Sequence, residues 1–359
     1  MTDNDTFLNK YKHALCVHIK FYIMRFLAVC IAVNTCILSS CSSDTCIGKY
    51  VPASSVPHVS AGARDYRDQP TYGISEIDAG RYIIDNRNDE FSDGVLEVCN
   101  SSFSVDGQLA GEIGECISEY PFRSGFYLID LETGMSCGYN ADDQFKTAST
   151  VKAGFGLYCF KSMAEGRGSM SDTVVYKRKH HVKGSGVIQR KPFGTVYTVE
   201  QLMKLMLDDS DNIAYYMLLD YFGMSGYNEM IHSLGVECSL YETNKWGTLS
   251  PHELGLIWQE IYRFKDTCDE GAELWRLLTT NRFNEIKAVL GKNRGTIAHK
   301  SGWGGLGCHD AGVVCGEHAY VIAVMTDTEI KKECLHSLIK YGDRIMSEYR
   351  AWLGSVYGK

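Results

Sequence analysis

The sequence predicts an α/β (α+β) fold: one mostly antiparallel sheet assembled from the two ends of the folded region, with a separate all-helical lobe between them. Strand-like runs stand at Phe126-Tyr127-Leu128-Ile129 and just after Thr133-Gly134. They return only at Thr296 to His299, Ala311 to Cys315 and Ala319 to Met325, the last two joined by a Gly316-Glu317 turn. Between these groups the start signals are helical: Thr198 with Gln201, and Ser250-Pro251 with Glu253, both fit a capping box. With 359 residues, 45% hydrophobic and 22% charged, the chain can bury a real core. A cleft between sheet and lobe is where a site is expected.

In chain order, Phe26 to Leu38 is an apolar run with Arg25 just before it and Lys20 further back, the pattern of an export signal. It is 13 residues long, short of the ~20 a membrane span needs. It ends in Leu38-Ser39-Ser40-Cys41, which resembles a bacterial lipoprotein processing site with Cys41 as the lipidated residue. The alternative is an uncleaved anchor over Phe21 to Cys41, which would bury Arg25. Either reading sets the protein outside the cytoplasmic membrane, as a lipoprotein in the first case. Met24 would open a more typical signal than Met1. Residues 1–41 are thus read as the export segment and 42–104, rich in Ser, Asp, Gly and Arg, as a tether or poorly structured region. The folded domain is assigned to 105–359. It opens with a helix over Val105 to Glu119, on the helical spacing of Leu109, Ile113, Cys116 and Ile117, and closes with one from about Glu329 to Leu353.

The net charge of -8, spread rather than blocked, gives no basic footprint and excludes a nucleic-acid partner. Of 14 cysteines, ten follow Cys41 without repeated spacing, so no disulfide pairing is legible. Cys308-His309 and His180-His181 have no ligand-spaced partners, so no metal and no cofactor is expected. The run Tyr176 to Lys183 (YKRKHHVK) reads first as a solvated loop. Its second reading is a loop bordering the cleft that attracts anionic groups.

The chemistry begins at Ser149-Thr150-Val151-Lys152, where a hydroxyl and an amine at i and i+3 face each other across one helical turn. A lysine so placed takes the serine's proton if its pKa is depressed. The same spacing at Ser337 and Lys340, inside the amphipathic last helix, lacks companions and is incidental. Ser149 has two: Ser210-Asp211-Asn212, 61 residues on, and Lys300-Ser301-Gly302 on an expected strand. Ser210 could pass the proton to a leaving nitrogen, Asn212 could orient Lys152 or a substrate amide, and Lys300 could pair with a substrate carboxylate. Gly302 would let a flat substrate lie beside the strand.

These three motifs, in this order, resemble the class A β-lactamase catalytic domain, a relative of the penicillin-binding transpeptidases. The likeness extends to Gly134 to Tyr158, Thr198 to Leu219, Thr248 to Pro251 and Asp310 to Val314, and covers about Val105 to Leu353. It implies a three-layer α/β/α sandwich with an all-helical lobe, a covalent acyl-enzyme at Ser149, and an oxyanion hole from the backbone N–H groups of Ser149 and Trp303. Catalysis is then expected from Ser149, Lys152 and Ser210, and substrate binding from Asn212, Lys300, Ser301, Gly302 and Trp303. A monomer acting on a β-lactam or a D-alanyl peptide is expected, with the membrane as its other partner.

One departure bears on turnover. The glutamate that activates the deacylating water in class A enzymes sits in a Glu-x-x-Leu-Asn setting, and only a short stretch, Leu234 to Trp246, occupies that place here. Glu253 is taken by its capping box and Glu237 falls near a helix end, which leaves Glu242 as the expected base. Three readings follow: a β-lactam hydrolase, a D-alanyl-D-alanine carboxypeptidase or slow penicillin-sequestering protein, and a scaffold lipoprotein without turnover. The intact motifs argue against the third.

Overall fold

The structure, a computed structural model, describes residues 74–78, 81–84 and 93–358 except 121, 284, 305–306 and 329–331. Cys41 and the export segment lie outside the described residues.

Eight strands form one antiparallel sheet: β1 (Ile74–Asp78), β2 (Arg81–Ile84), β3 (Gly94–Cys99), β4 (Ser124–Asp130), β5 (Ser136–Tyr139), β10 (Thr296–Gly304), β11 (Gly307–Cys315) and β12 (Ala319–Thr326). Their order is β1-β2-β3-β5-β4-β12-β11-β10. The pairing of β12 with β4 joins the two ends of the folded region, Ile322 standing opposite Leu128. The short ribbons β6 (Phe145–Lys146) with β9 (Thr248–Leu249), and β7 (Thr173–Val175) with β8 (Val196–Thr198), complete the strands.

Strand alternation puts the two faces of the sheet into two cores. Along β12, Val321, Ala323 and Met325 join one core, whereas Tyr320, Ile322 and Val324 join the other. The second core is closed by α1 (Gly107–Ser118) and by α9 (Lys332–Tyr357), which packs on β12 and β4. On the opposite face lie α2 (Val151–Ala164), α3 (Val199–Leu207), α4 (Asn212–Phe222), α5 (Ser225–Ser233), α6 (Pro251–Phe264) and α7 (Asp269–Thr280). There α6 covers β4, β11 and β12. The short α8 (Glu285–Leu290) packs beside α9. Both expected capping boxes form, Gln201 N–H donating to Thr198 Oγ1 at 3.2 Å and Glu253 N–H to Ser250 Oγ at 3.1 Å.

The tether assigned to 42–104 is corrected over its second half: β1, β2 and β3 extend the sheet beyond β5. Tyr82, Ile84 and Leu96 enter the core through pairing with residues 40 and more positions away in the case of Leu96 and Tyr139. Short strands of 4 to 6 residues carry little periodicity of their own, and their stability comes from that tertiary pairing. The nine cysteines among the described residues are all free thiols.

Candidate active site

Ser149 sits in the 3-10 turn Ala148–Thr150 that runs into α2. Ala148 holds a left-handed φ of 45°, unusual for a residue with a Cβ and a mark of a backbone constrained by its surroundings. The constraint is visible: Thr147 Oγ1 donates to the Trp246 carbonyl at 2.6 Å, and Thr150 Oγ1 to the Thr147 carbonyl at 2.6 Å. Helix α2 is buried nearly all round, so Lys152, one turn on from Ser149, is held inside the helical lobe.

Lys152 Nζ is the hub. It lies 3.2 Å from Ser149 Oγ, 3.2 Å from Ser210 Oγ, 2.6 Å from the Ser210 carbonyl and 2.7 Å from Asn212 Oδ1. Burial pushes its pKa well below the ordinary lysine value, the Lys300 ammonium pushes the same way, and Asp211 opposes both. A neutral amine at this point has a lone pair to accept the Ser149 proton.

The Ser210-Asp211-Asn212 triplet forms the turn from α3 into α4, with Ser210 at φ 54°. Asp211 explains the turn, a role the sequence left unassigned. Its Oδ1 accepts from the N–H groups of Ile213 and Ala214, capping α4, while Oδ2 accepts from Val187 and Ile188 at 2.6 and 2.9 Å. Four donors on one buried carboxylate pin Ser210 and Asn212 in place. The signal was an Asp immediately before an apolar helical run.

Lys300, on β10, reaches Ser210 Oγ at 3.2 Å and the Ser301 carbonyl at 2.9 Å. Burial lowers its pKa to about 8, with Asp310 acting in the opposite sense. Asp310 is itself buried, 3.1 Å from His299 Nδ1 and accepting from the N–H groups of Glu285 and Ile286. Ser301 Oγ donates to the Phe283 carbonyl at 3.1 Å. Gly302 has a further structural reason: a Cβ there would lie 3.0 Å from Ser149 N, Thr147 O and Thr150 Cγ2. Glycine lets β10 close directly on the nucleophile's turn. Trp303 follows, its ring beneath the Lys332 ammonium at 4.0 Å.

Two hollows, about 320 and 530 Å³, meet at Ser149, Ser185 and Trp303. The smaller adds Ser210, Phe283, Glu285, Ser301 and Lys332. The larger runs past Asn212 toward Trp246 and the loop at Val182–Ser185, so the end of the basic run does border the cleft. Lys177, Arg178, Lys179 and His181 are exposed as a solvated loop requires, whereas Tyr176 and His180 are buried and Asp220 takes both Lys179 and His180.

Glu242 is corrected as the expected base. Its carboxylate is 79% exposed and paired with Lys245 at 2.9 Å, and it lines neither hollow. The shortened stretch instead brings the Trp246 ring to 5.4 Å from Lys152 Nζ, beside Tyr215. Glu253 is held by its capping box and by Gln144 and Glu237 N–H. The second Ser-x-x-Lys has no such company, with Ser337 half-buried and Lys340 exposed on α9. Among the described residues there is no cluster able to hold a metal ion.

A family profile described as the β-lactamase enzyme family matches residues 108–343. The chain belongs to the β-lactamase enzyme family. Its relatives include β-lactamase ROB-1 of Haemophilus influenzae, 35% identical over 118 residues, which are 33% of this chain and 38% of that protein. The chain thus spans about two fifths of the length of the curated relatives it matches. Among solved structures it is similar to PBP-A, with a TM-score of 0.61 and 26% identity over 68% of this chain and 96% of that one. A PBP-A variant solved as an acyl-enzyme complex with penicillin G gives a TM-score of 0.60 at 25% identity, with the same coverage.

Proposed function

We propose that the protein is a serine hydrolase of β-lactams that is acylated on Ser149. The observation that carries this is Lys152 Nζ, poised between Ser149 Oγ and Ser210 Oγ with its proton affinity lowered by burial. Lys152 takes the Ser149 proton as Oγ attacks the lactam carbonyl, and the C–N bond breaks as the ester forms. The proton returns through Ser210 to the leaving nitrogen. The N–H groups of Ser149 and Trp303 hold the developing oxyanion, and Lys300 with Ser301 holds the substrate carboxylate. Asn212 orients Lys152 from 2.7 Å.

Hydrolysis of the ester then needs a base aimed at water. Glu285 is the only carboxylate lining either hollow among the described residues, and Lys332 and His336 hold it at 3.0 and 2.7 Å. That observation favours slow deacylation and keeps a second reading open, a penicillin-sequestering or D-alanyl carboxypeptidase-like protein using the same acylation chemistry. The test is intact-mass analysis with penicillin G alongside turnover of a chromogenic cephalosporin. A covalent adduct that is absent in Ser149→Ala is expected, and an adduct retained in that variant overturns the assignment. We further propose that the chain is exported and anchored through a lipid on Cys41, on the strength of the apolar run that ends there.

A further inference from the structure

The two hollows differ in charge, and the difference predicts which substrates enter. Ser210, which serves the leaving nitrogen in the proposed reaction, lines the smaller hollow, so the leaving half of the substrate lies there. The acyl half then lies in the larger hollow on the Asn212 side. That hollow is lined by Lys146 and Lys183 and by no carboxylate among the described residues. Both lysines are exposed, and neither makes an ion pair or ring contact among the described residues. Their neighbours do: Lys179 is paired with Asp220 and Lys245 with Glu242.

The two ammonium groups also stand on fixed backbone. The Lys146 carbonyl accepts from His309 Nε2 at 2.8 Å. Beyond Lys183, Gln189 Nε2 donates to the Gly184 carbonyl at 2.9 Å and Asn212 N–H to the Ser185 carbonyl at 3.0 Å. Like charges at the rim of a cleft raise the local concentration of anions. We propose that the cleft selects substrates bearing a second acid, on the acyl substituent, with Lys146 and Lys183 as the residues that set this preference. The proposal rests on acylation of Ser149.

Three penicillins that differ at one carbon of the benzyl side chain test it: α-carboxy, unsubstituted and α-amino. The rate constant for adduct formation at Ser149 is measured for each by intact mass. At about 20 mM salt the α-carboxy compound is expected to exceed the α-amino compound by about two- to thirtyfold, two exposed ion pairs' worth. The ratio should shrink at about 0.5 M salt, where screening is effective within about 4 Å. It should shrink likewise in Lys146→Gln/Lys183→Gln and in Lys183→Glu, each of which brings the two positions to zero net charge, and Lys146→Glu/Lys183→Glu should reverse the order. Because each ratio is taken within one protein, a general loss of activity does not mimic the result. Adducts formed without preference, or a preference unmoved by Lys183→Glu, overturn this proposal alone. Absence of both adduct and turnover with all three compounds overturns the acylation reading and the proposal with it.

Discussion

Lys300 has two effects on acylation that a pH profile separates. Its ammonium holds the substrate carboxylate in the proposed reaction, and its charge helps depress the pKa of Lys152. Each lysine nitrogen is 3.2 Å from Ser210 Oγ, so the two are no more than about 6.4 Å apart. At an effective dielectric of about 20, two unit charges at that distance repel by about 2 to 3 kcal/mol, a factor of roughly 30 to 160 in proton affinity. In the wild type, acylation should rise with pH as Lys152 loses its proton and fall again near pH 8 as Lys300 loses its own. Lys300→Ala should lower the rate constant by about 10- to 150-fold through the lost charged hydrogen bond. It should also erase the alkaline limb and move the acid limb to higher pH. Lys300→Arg keeps a charge that does not titrate, so the acid limb stays and the alkaline limb vanishes. The assay is adduct formation with a fluorescent penicillin from pH 5 to 10. A Lys300→Ala profile that is scaled down but unchanged in shape would refute the coupling.

Four further outcomes are expected. Loss of a positioned base slows its step by about 100 to 10,000-fold, so a burst of acylation followed by a slow steady state is expected with a chromogenic cephalosporin. Glu242→Gln should leave the adduct's lifetime unchanged, and fast turnover without adduct by mass refutes slow deacylation. His309 donates to the Lys146 carbonyl and accepts from Thr326 N–H, and burial lowers its pKa to about 4 from 6.5. Its neutral form is favoured in the fold, so its contribution is whole above pH 6.5 and is lost as pH falls toward 4. That loss is about 3 kcal/mol, measurable as a steeper acid-side fall in thermal midpoint for wild type than for His309→Gln. Finally, Cys41→Ala should abolish incorporation of a fatty-acid analogue, and equal labelling of variant and wild type refutes the lipid anchor.

What was legible in the sequence was legible because it is local. The i, i+3 spacing of Ser149 and Lys152, the capping boxes and the apolar runs that become β4, β11 and β12 are patterns within a few residues, even where the strands then pair far along the chain. What escaped depends on partners far along the chain. Strand β3 is fixed by β5, and Gly94 makes room for the Tyr139 ring, which a Cβ would meet at 2.1 Å. Nothing within β3 itself announces this. Gly302 likewise answers to Ser149, a neighbour only after β10 has closed on the nucleophile's turn.

The deacylation base shows the same limit from the other side. Sequence elimination left Glu242 because it was the glutamate not otherwise explained, but a general base is defined by where its oxygen points. The stretch from Leu234 to Trp246 turns Glu242 outward onto Lys245, and brings Trp246 against Lys152 and its carbonyl to Thr147 Oγ1. The same stretch therefore braces the nucleophile's turn. Burial of Lys152 beneath that wall is the first cause of its depressed pKa. Under the proposed reaction the stretch that buries Lys152 favours acylation, and the accumulating acyl-enzyme expected above would then follow from this packing rather than from any defect in the three motifs.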